Sequence, residues 1–68
     1  MRIETRKCGT QYVASHGTRC YVGHSHTYVA ARLAAILQEP APVWMGMDGE
    51  VEVWETRPDV FRSEHLRR

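Results

Sequence analysis

This chain lacks the features that would place it quickly. In 68 residues it has no apolar run of about 18 residues, so no transmembrane helix is expected and no membrane partner is assigned. The opening residues Met1-Arg2-Ile3-Glu4-Thr5-Arg6 are charged and carry no leader-type apolar core, which reads as an intracellular, cytoplasmic protein. Cys8 and Cys20 are too few for a disulfide framework. They are expected as free thiols, Cys8 in a loop and Cys20 in the core. There is no G-x-S-x-G, no phosphate-cradling glycine loop and no H-E-x-x-H. Cys8 with a nearby histidine has no third group to orient it. The expectation is therefore no catalytic residue and no enzyme. With no repeat and no low-complexity segment, residues 1–68 read as a single domain. A domain of this size buries only about 60% of its unfolded surface, too little for a full core and a deep cleft together.

The metal-ligating residue types are present without a metal-binding pattern. Cys8, His16, Cys20, His24 and His26 run as Cys-x7-His-x3-Cys-x3-His-x-His, and no Cys-x2-Cys knuckle occurs. With Cys20 inward, His16 at a turn tip and His24 past a strand end, convergence is not expected. No metal and no cofactor are assigned.

The net charge of +1 hides a segregation. Residues 1–34 carry Arg2, Arg6, Lys7, Arg19 and Arg32 against Glu4. Residues 35–59 carry Glu39, Asp48, Glu50, Glu52, Glu55 and Asp59 against Arg57. The last nine residues carry Arg62, Arg67 and Arg68 against Glu64. Two readings stay open: a polyanion-binding half, or two halves that pair their charges across one sheet.

Periodicity gives an α+β fold in the order β-β-β-α-β-β. Ile3 alternates with Arg2, Glu4 and Arg6 in a first strand, and Lys7 to Thr10 connect. Residues 11–15 and 18–22 read as a hairpin about His16-Gly17, pairing Tyr12 with Tyr21 and Val13 with Cys20. Ser25 or Thr27 caps a helix near residues 26–39, ended by Pro40 and Pro42. Its stripe is Val29, Leu33, Ile36 and Leu37. Residues 43–56 form a second hairpin at Asp48-Gly49, with Trp44, Val51 and Val53 on one face and Glu50, Glu52 and Trp54 on the other. Pro58-Asp59 opens a short C-terminal helix through Val60, Phe61 and Leu66. The expected architecture is an antiparallel sheet of about five strands with one long helix packed on the Ile3, Val13, Cys20, Val22 face.

That arrangement leaves the opposite face open. Arg2, Arg6, Tyr12, Arg19 and Tyr21 are expected there, a guanidinium-and-ring surface suited to phosphate contact, stacking or a protein interface. Trp54 is added as an anchor for a dimerising module. The competing expectation is that Glu4, Glu50 and Glu52 neutralise the arginines within the sheet.

Two resemblances bear on the partner. Tyr12-Val-Ala14, Gly17-Thr-Arg19-Cys-Tyr21-Val-Gly23, Thr27 and Ala30-Ala31-Arg32-Leu-Ala34 resemble the ethylene-response-factor DNA-binding domain and the arm-binding domain of tyrosine integrases. The similarity spans residues 12–34, about a third of the chain. It departs at His24-Ser25-His26, where the family has an aromatic and an acidic residue, and it lacks the family's basic excess. It implies a three-stranded sheet whose outer face enters the major groove of duplex DNA, with Arg19 and Tyr21 groove-facing. The whole plan is similar to small phage anti-CRISPR inhibitors, a likeness of architecture alone. The expectation is a non-catalytic binding protein of phage or mobile-element type that docks on a host protein or nucleoprotein complex and inhibits it. Duplex DNA binding and a dimerising protein-interaction module, with a homodimer as partner, are the alternatives.

Overall fold

The computed structural model describes residues 1–56, and the expected C-terminal helix lies outside them. The elements are β1 (Arg2–Cys8), β2 (Gln11–His16), β3 (Arg19–Gly23), α1 (His26–Ile36), β4 (Val43–Asp48) and β5 (Val51–Glu55). All five strands form one antiparallel sheet in the order β3-β2-β1-β5-β4. The α+β plan with one helix on a five-stranded sheet is the one expected.

Turn chemistry sets the registers. The closing pairs are Cys8↔Gln11, His16↔Arg19 and Asp48↔Val51, so each hairpin turns through two residues: Gly9-Thr10, Gly17-Thr18 and Gly49-Glu50. In each turn only the leading glycine has positive φ, between 60° and 68°, the sign pattern of a II′ turn. The expected turn at His16-Gly17 is corrected by one residue. A left-handed backbone at His16 is avoided by letting Gly17 lead. The pairs become Ala14↔Tyr21 and Val13↔Val22.

The covered face is also corrected. A two-residue turn at Gly9-Thr10 pairs odd residues of β1 with even residues of β2, as in Thr5↔Ala14. Ile3 and Thr5 therefore share a face with Tyr12 and Ala14, and it is this face that α1 covers. Ile3, Thr5 and Ala14 are fully buried, while Tyr12 and Tyr21 pack against the core from its margin. Val13, Cys20 and Val22 lie on the outer face, and Val22 is 47% exposed. Cys8 ends β1, and both cysteines are exposed rather than loop and core.

The helix seats on its small residues. Val29, Ala30, Leu33 and Ala34 are buried, while Ile36, expected in the stripe, is 42% exposed and Leu37 is partly buried. Ala30 and Ala34 on the helix and Ala14 on β2 belong to one buried cluster, and their small size lets helix and sheet approach closely, which large residues there would prevent. The Ser25 side chain accepts from the Tyr28 amide at 3.1 Å and caps the N-terminus. The helix stops at Ile36 instead of running to residue 39. Gln38 takes φ 61°, its amide donates to the Ala35 carbonyl, and the Glu39 amide donates to the Ala34 carbonyl at 2.8 Å. That is a Schellman ending with Gln in the usual glycine place.

The helix packs on β1, β2 and β3 and makes no comparable contact with β4 or β5. Among the described residues, therefore, the β4–β5 hairpin carries no helical layer of the kind that covers β1–β3.

Candidate protein-binding edge

The structure does not gather the six sequence-derived site residues on one surface. Arg2 and Arg6 are on the outer face. Arg2 Nη2 is 2.9 Å from Asp48 Oδ2 and 3.0 Å from Glu4 Oε2, and Arg6 Nη2 is 3.7 Å from Glu4 Oε1. The bond to Asp48, with Glu4 adding to it, holds the Arg2 guanidinium above its ordinary pKa. The pairing is with acidic neighbours in the same sheet, though through Glu4 and Asp48 rather than Glu50 and Glu52.

Tyr12 and Tyr21 are on the helix side, which corrects their expected outward placement. Tyr12 meets His26 edge-on with centroids 4.7 Å apart. Tyr21 lies 6.2 Å from Tyr28, which stacks on His24 at 4.3 Å. The Tyr21 hydroxyl is lowered in pKa by its bond with Tyr28 and by Arg32, and Tyr28 is raised by the same pairing. Arg19 is exposed at the start of β3 and, by alternation, on the side of Tyr21. Trp54 is only 7% exposed and pairs with Ile3. It anchors the core and presents nothing to a partner.

A hydroxyl, an imidazole and a carboxylate do come together beneath α1. Trp54 Nε1–H donates to Thr5 Oγ1 at 3.1 Å, and Thr5 Oγ1 lies 2.8 Å from His26 Nδ1. Indole is a donor only, so Thr5 Oγ1 is the acceptor in its bond with Trp54; on the far side of the ring His26 Nε2 lies 3.4 Å from Glu52 Oε2. The order imitates a nucleophile triad, but Thr5 has no exposed surface and its oxygen already accepts from Trp54. The array locks the start of α1 to β1 and β5. His16 Nδ1 is engaged elsewhere, with the Arg2 carbonyl at 2.8 Å. Among the described residues no three of His, Cys, Asp and Glu are grouped to hold a metal ion.

Among the described residues the exposed large apolar side chains concentrate on β4. Val43, Trp44, Met45 and Met47 are 54%, 53%, 50% and 58% exposed on one edge strand. Those exposed parts, counted over both faces of the strand, amount to on the order of 400 Å², within the range of the largest apolar patch on a monomer, which is often functional. Pairing gives their directions. Trp44↔Trp54 and Met47↔Glu52 place Trp44 and Met47 on the helix side, beyond the reach of the helix. Val43, Gly46 and Asp48 are on the outer side. A bulge between Trp44 and Gly46 takes up Met45, and this corrects the expectation that Trp44 shares a face with Val51 and Val53. The one charge in the strand, Asp48, is held by Arg2.

Sequence reasoning missed Val43, Met45 and Met47. Their signal was a strand without Lys, Arg or Pro, the residues that usually blunt an edge. That signal has meaning only once β4 is known to be an edge. No protein-family model matches the chain, and no curated protein or solved structure matches it.

Proposed function

We propose that this chain is a non-catalytic protein-binding module that docks through the β4 edge and the uncovered helix-side face of the β4–β5 hairpin. The observation that carries the reading is the row of four large apolar side chains, each half exposed or more, on one edge strand of the described sheet that has no Lys, Arg or Pro. Added strands and inserted aromatic anchors are common ways to use such an edge. The phage-type inhibitor of a host nucleic-acid-handling complex is one member of this class and would use the same edge. Direct duplex DNA binding gains less support, because the outer-face arginines Arg2 and Arg6 are paired with Glu4 and Asp48. The triad-like array among the described residues has a buried hydroxyl, which favours a structural role over catalysis.

Affinity capture from a host extract tests the reading with three baits: the unaltered chain, Trp44→Lys/Met47→Lys, and Arg2→Ala/Arg6→Ala. A partner kept by the first and third and lost by the second supports the β4 edge. A partner kept by the second and lost by the third moves the contact to the outer face. A mobility-shift salt series would then read whether phosphates are neutralised, with a slope of about −0.9 for each.

A further inference from the structure

We infer that the occupant of the β4 edge is a second copy of this chain, joined by antiparallel β4–β4 pairing across a two-fold axis perpendicular to the sheet. This rests on the reading of β4 as the docking edge and names its partner.

The first argument is the bulge. A bulge normally protects an edge, because a regular strand cannot follow it. A second copy carries the same bulge. Read from either end, β4 runs outer side, helix side, two bulge residues, helix side, outer side: Val43, Trp44, Met45 and Gly46, Met47, Asp48. One antiparallel register matches this pattern to itself. It sets Val43 against Asp48, Trp44 against Met47 and Met45 against Gly46 of the second copy.

That register is also chemically consistent. Trp44 meets a methionine thioether, a favourable contact. Gly46 has φ +133°, and a Cβ built there meets nothing within 4 Å, so the Met45 side chain of the second copy has room. The two Asp48 residues fall at opposite ends of the joint, each held by its own Arg2, so no like charges are brought together. Both helices stay on one side, and the sheets join into a continuous antiparallel sheet, the isologous arrangement commonest among oligomers.

The other free edge lacks these properties. β3 begins with the exposed Arg19 and lies under the helix.

The apolar area of on the order of 400 Å² per copy is below the roughly 800 Å² a side of a standard interface. The association is therefore reversible and concentration-dependent.

Sedimentation of the full 68-residue chain over a micromolar dilution series is the test, combined with amide exchange at β4. The expected result is a mass that moves from monomer to dimer, with the outward-pointing β4 amides protected only at high concentration. Trp44→Lys should weaken the dimer by about 30-fold or more, with circular dichroism unchanged. Met47→Lys replaces it if the first variant does not fold. Val22→Lys, exposed on the other edge, should leave the dimer intact. A dimer that survives both β4 variants, or is lost with Val22→Lys alone, overturns the proposal. A monomer with freely exchanging β4 amides overturns the second copy and leaves the edge open to another protein. A monomer with protected β4 amides puts the chain's own residues over the edge and overturns the docking reading too.

Discussion

The two halves of this small sheet are built from similar strands but hold together differently. In the β1–β3 half, Ile3, Thr5 and Ala14 lie under Val29, Ala30, Leu33 and Ala34, and every one of these residues is at most 1% exposed. In the β4–β5 half, Trp54 is the one buried residue of the two strands, with Thr56 buried just after β5, both at the seam with β1, while β4 exposes Val43, Trp44, Met45 and Met47. Among the described residues the first half has a second layer and the second half does not. Burial supplies most of the drive to fold, so stability should concentrate in the covered half. The uncovered half keeps apolar surface in reserve, and a bare two-stranded hairpin gains little by itself in water. One 11-residue helix is too small to cover five strands. What it leaves bare is where a partner can add a layer or a strand.

That contrast can be broken or sharpened by mutation. The largest effect is expected in the covered half. Leu33→Ala should cost roughly 2–5 kcal/mol, read by urea or thermal unfolding, because the side chain is 1% exposed in close packing. A loss below about 1 kcal/mol would mean that the helix is not the organising layer. Thr5→Val comes next. It strands the buried Trp54 indole N–H and removes the hydroxyl beside His26 Nδ1, and a buried unsatisfied group costs about 1–3 kcal/mol. Trp54→Phe introduced into the Thr5→Val background should cost less than in the original chain, since the orphaned donor is gone, and a double-mutant cycle measures the difference. Ser25→Ala should cost about 1 kcal/mol by removing the cap at Tyr28, checked by chemical denaturation. The smallest effect belongs to the bare half. Trp44→Ser should change the stability of the dilute monomer by no more than about 0.5 kcal/mol. A loss of several kcal/mol there would show that β4 is packed, and the comparison between halves would collapse. Gln38→Gly runs the other way, since glycine meets no Cβ penalty at φ 61°, and should raise the melting temperature slightly.

Legibility followed the range of the interaction. The order β-β-β-α-β-β was readable because it depends on local signals: the alternation about Ile3, the Ser25 cap and the glycine turns. The face of the sheet that faces inward was not. It depends on the register of strand pairing, where a slip of one residue flips every side chain. Valine outranks tyrosine and alanine in apolar character, so Val13 and Val22 were assigned to the core. The Gly9-Thr10 turn placed Tyr12 and Ala14 there instead. The candidate site suffered in the same way. Tyr12 and Tyr21 moved under the helix, Trp54 moved into the core, and Arg2 found Asp48, 46 residues away in sequence.

The sequence by itself determined that this chain forms hairpins and one capped helix, because those features need only neighbouring residues and their backbone preferences. Only the tertiary structure decided which strand became an edge and which apolar side chains lost their cover. Both depend on where one short helix comes to rest on five strands. Ala14, Ala30 and Ala34 are buried in the core between them, residues whose importance lies in being small and which therefore leave little trace in a sequence.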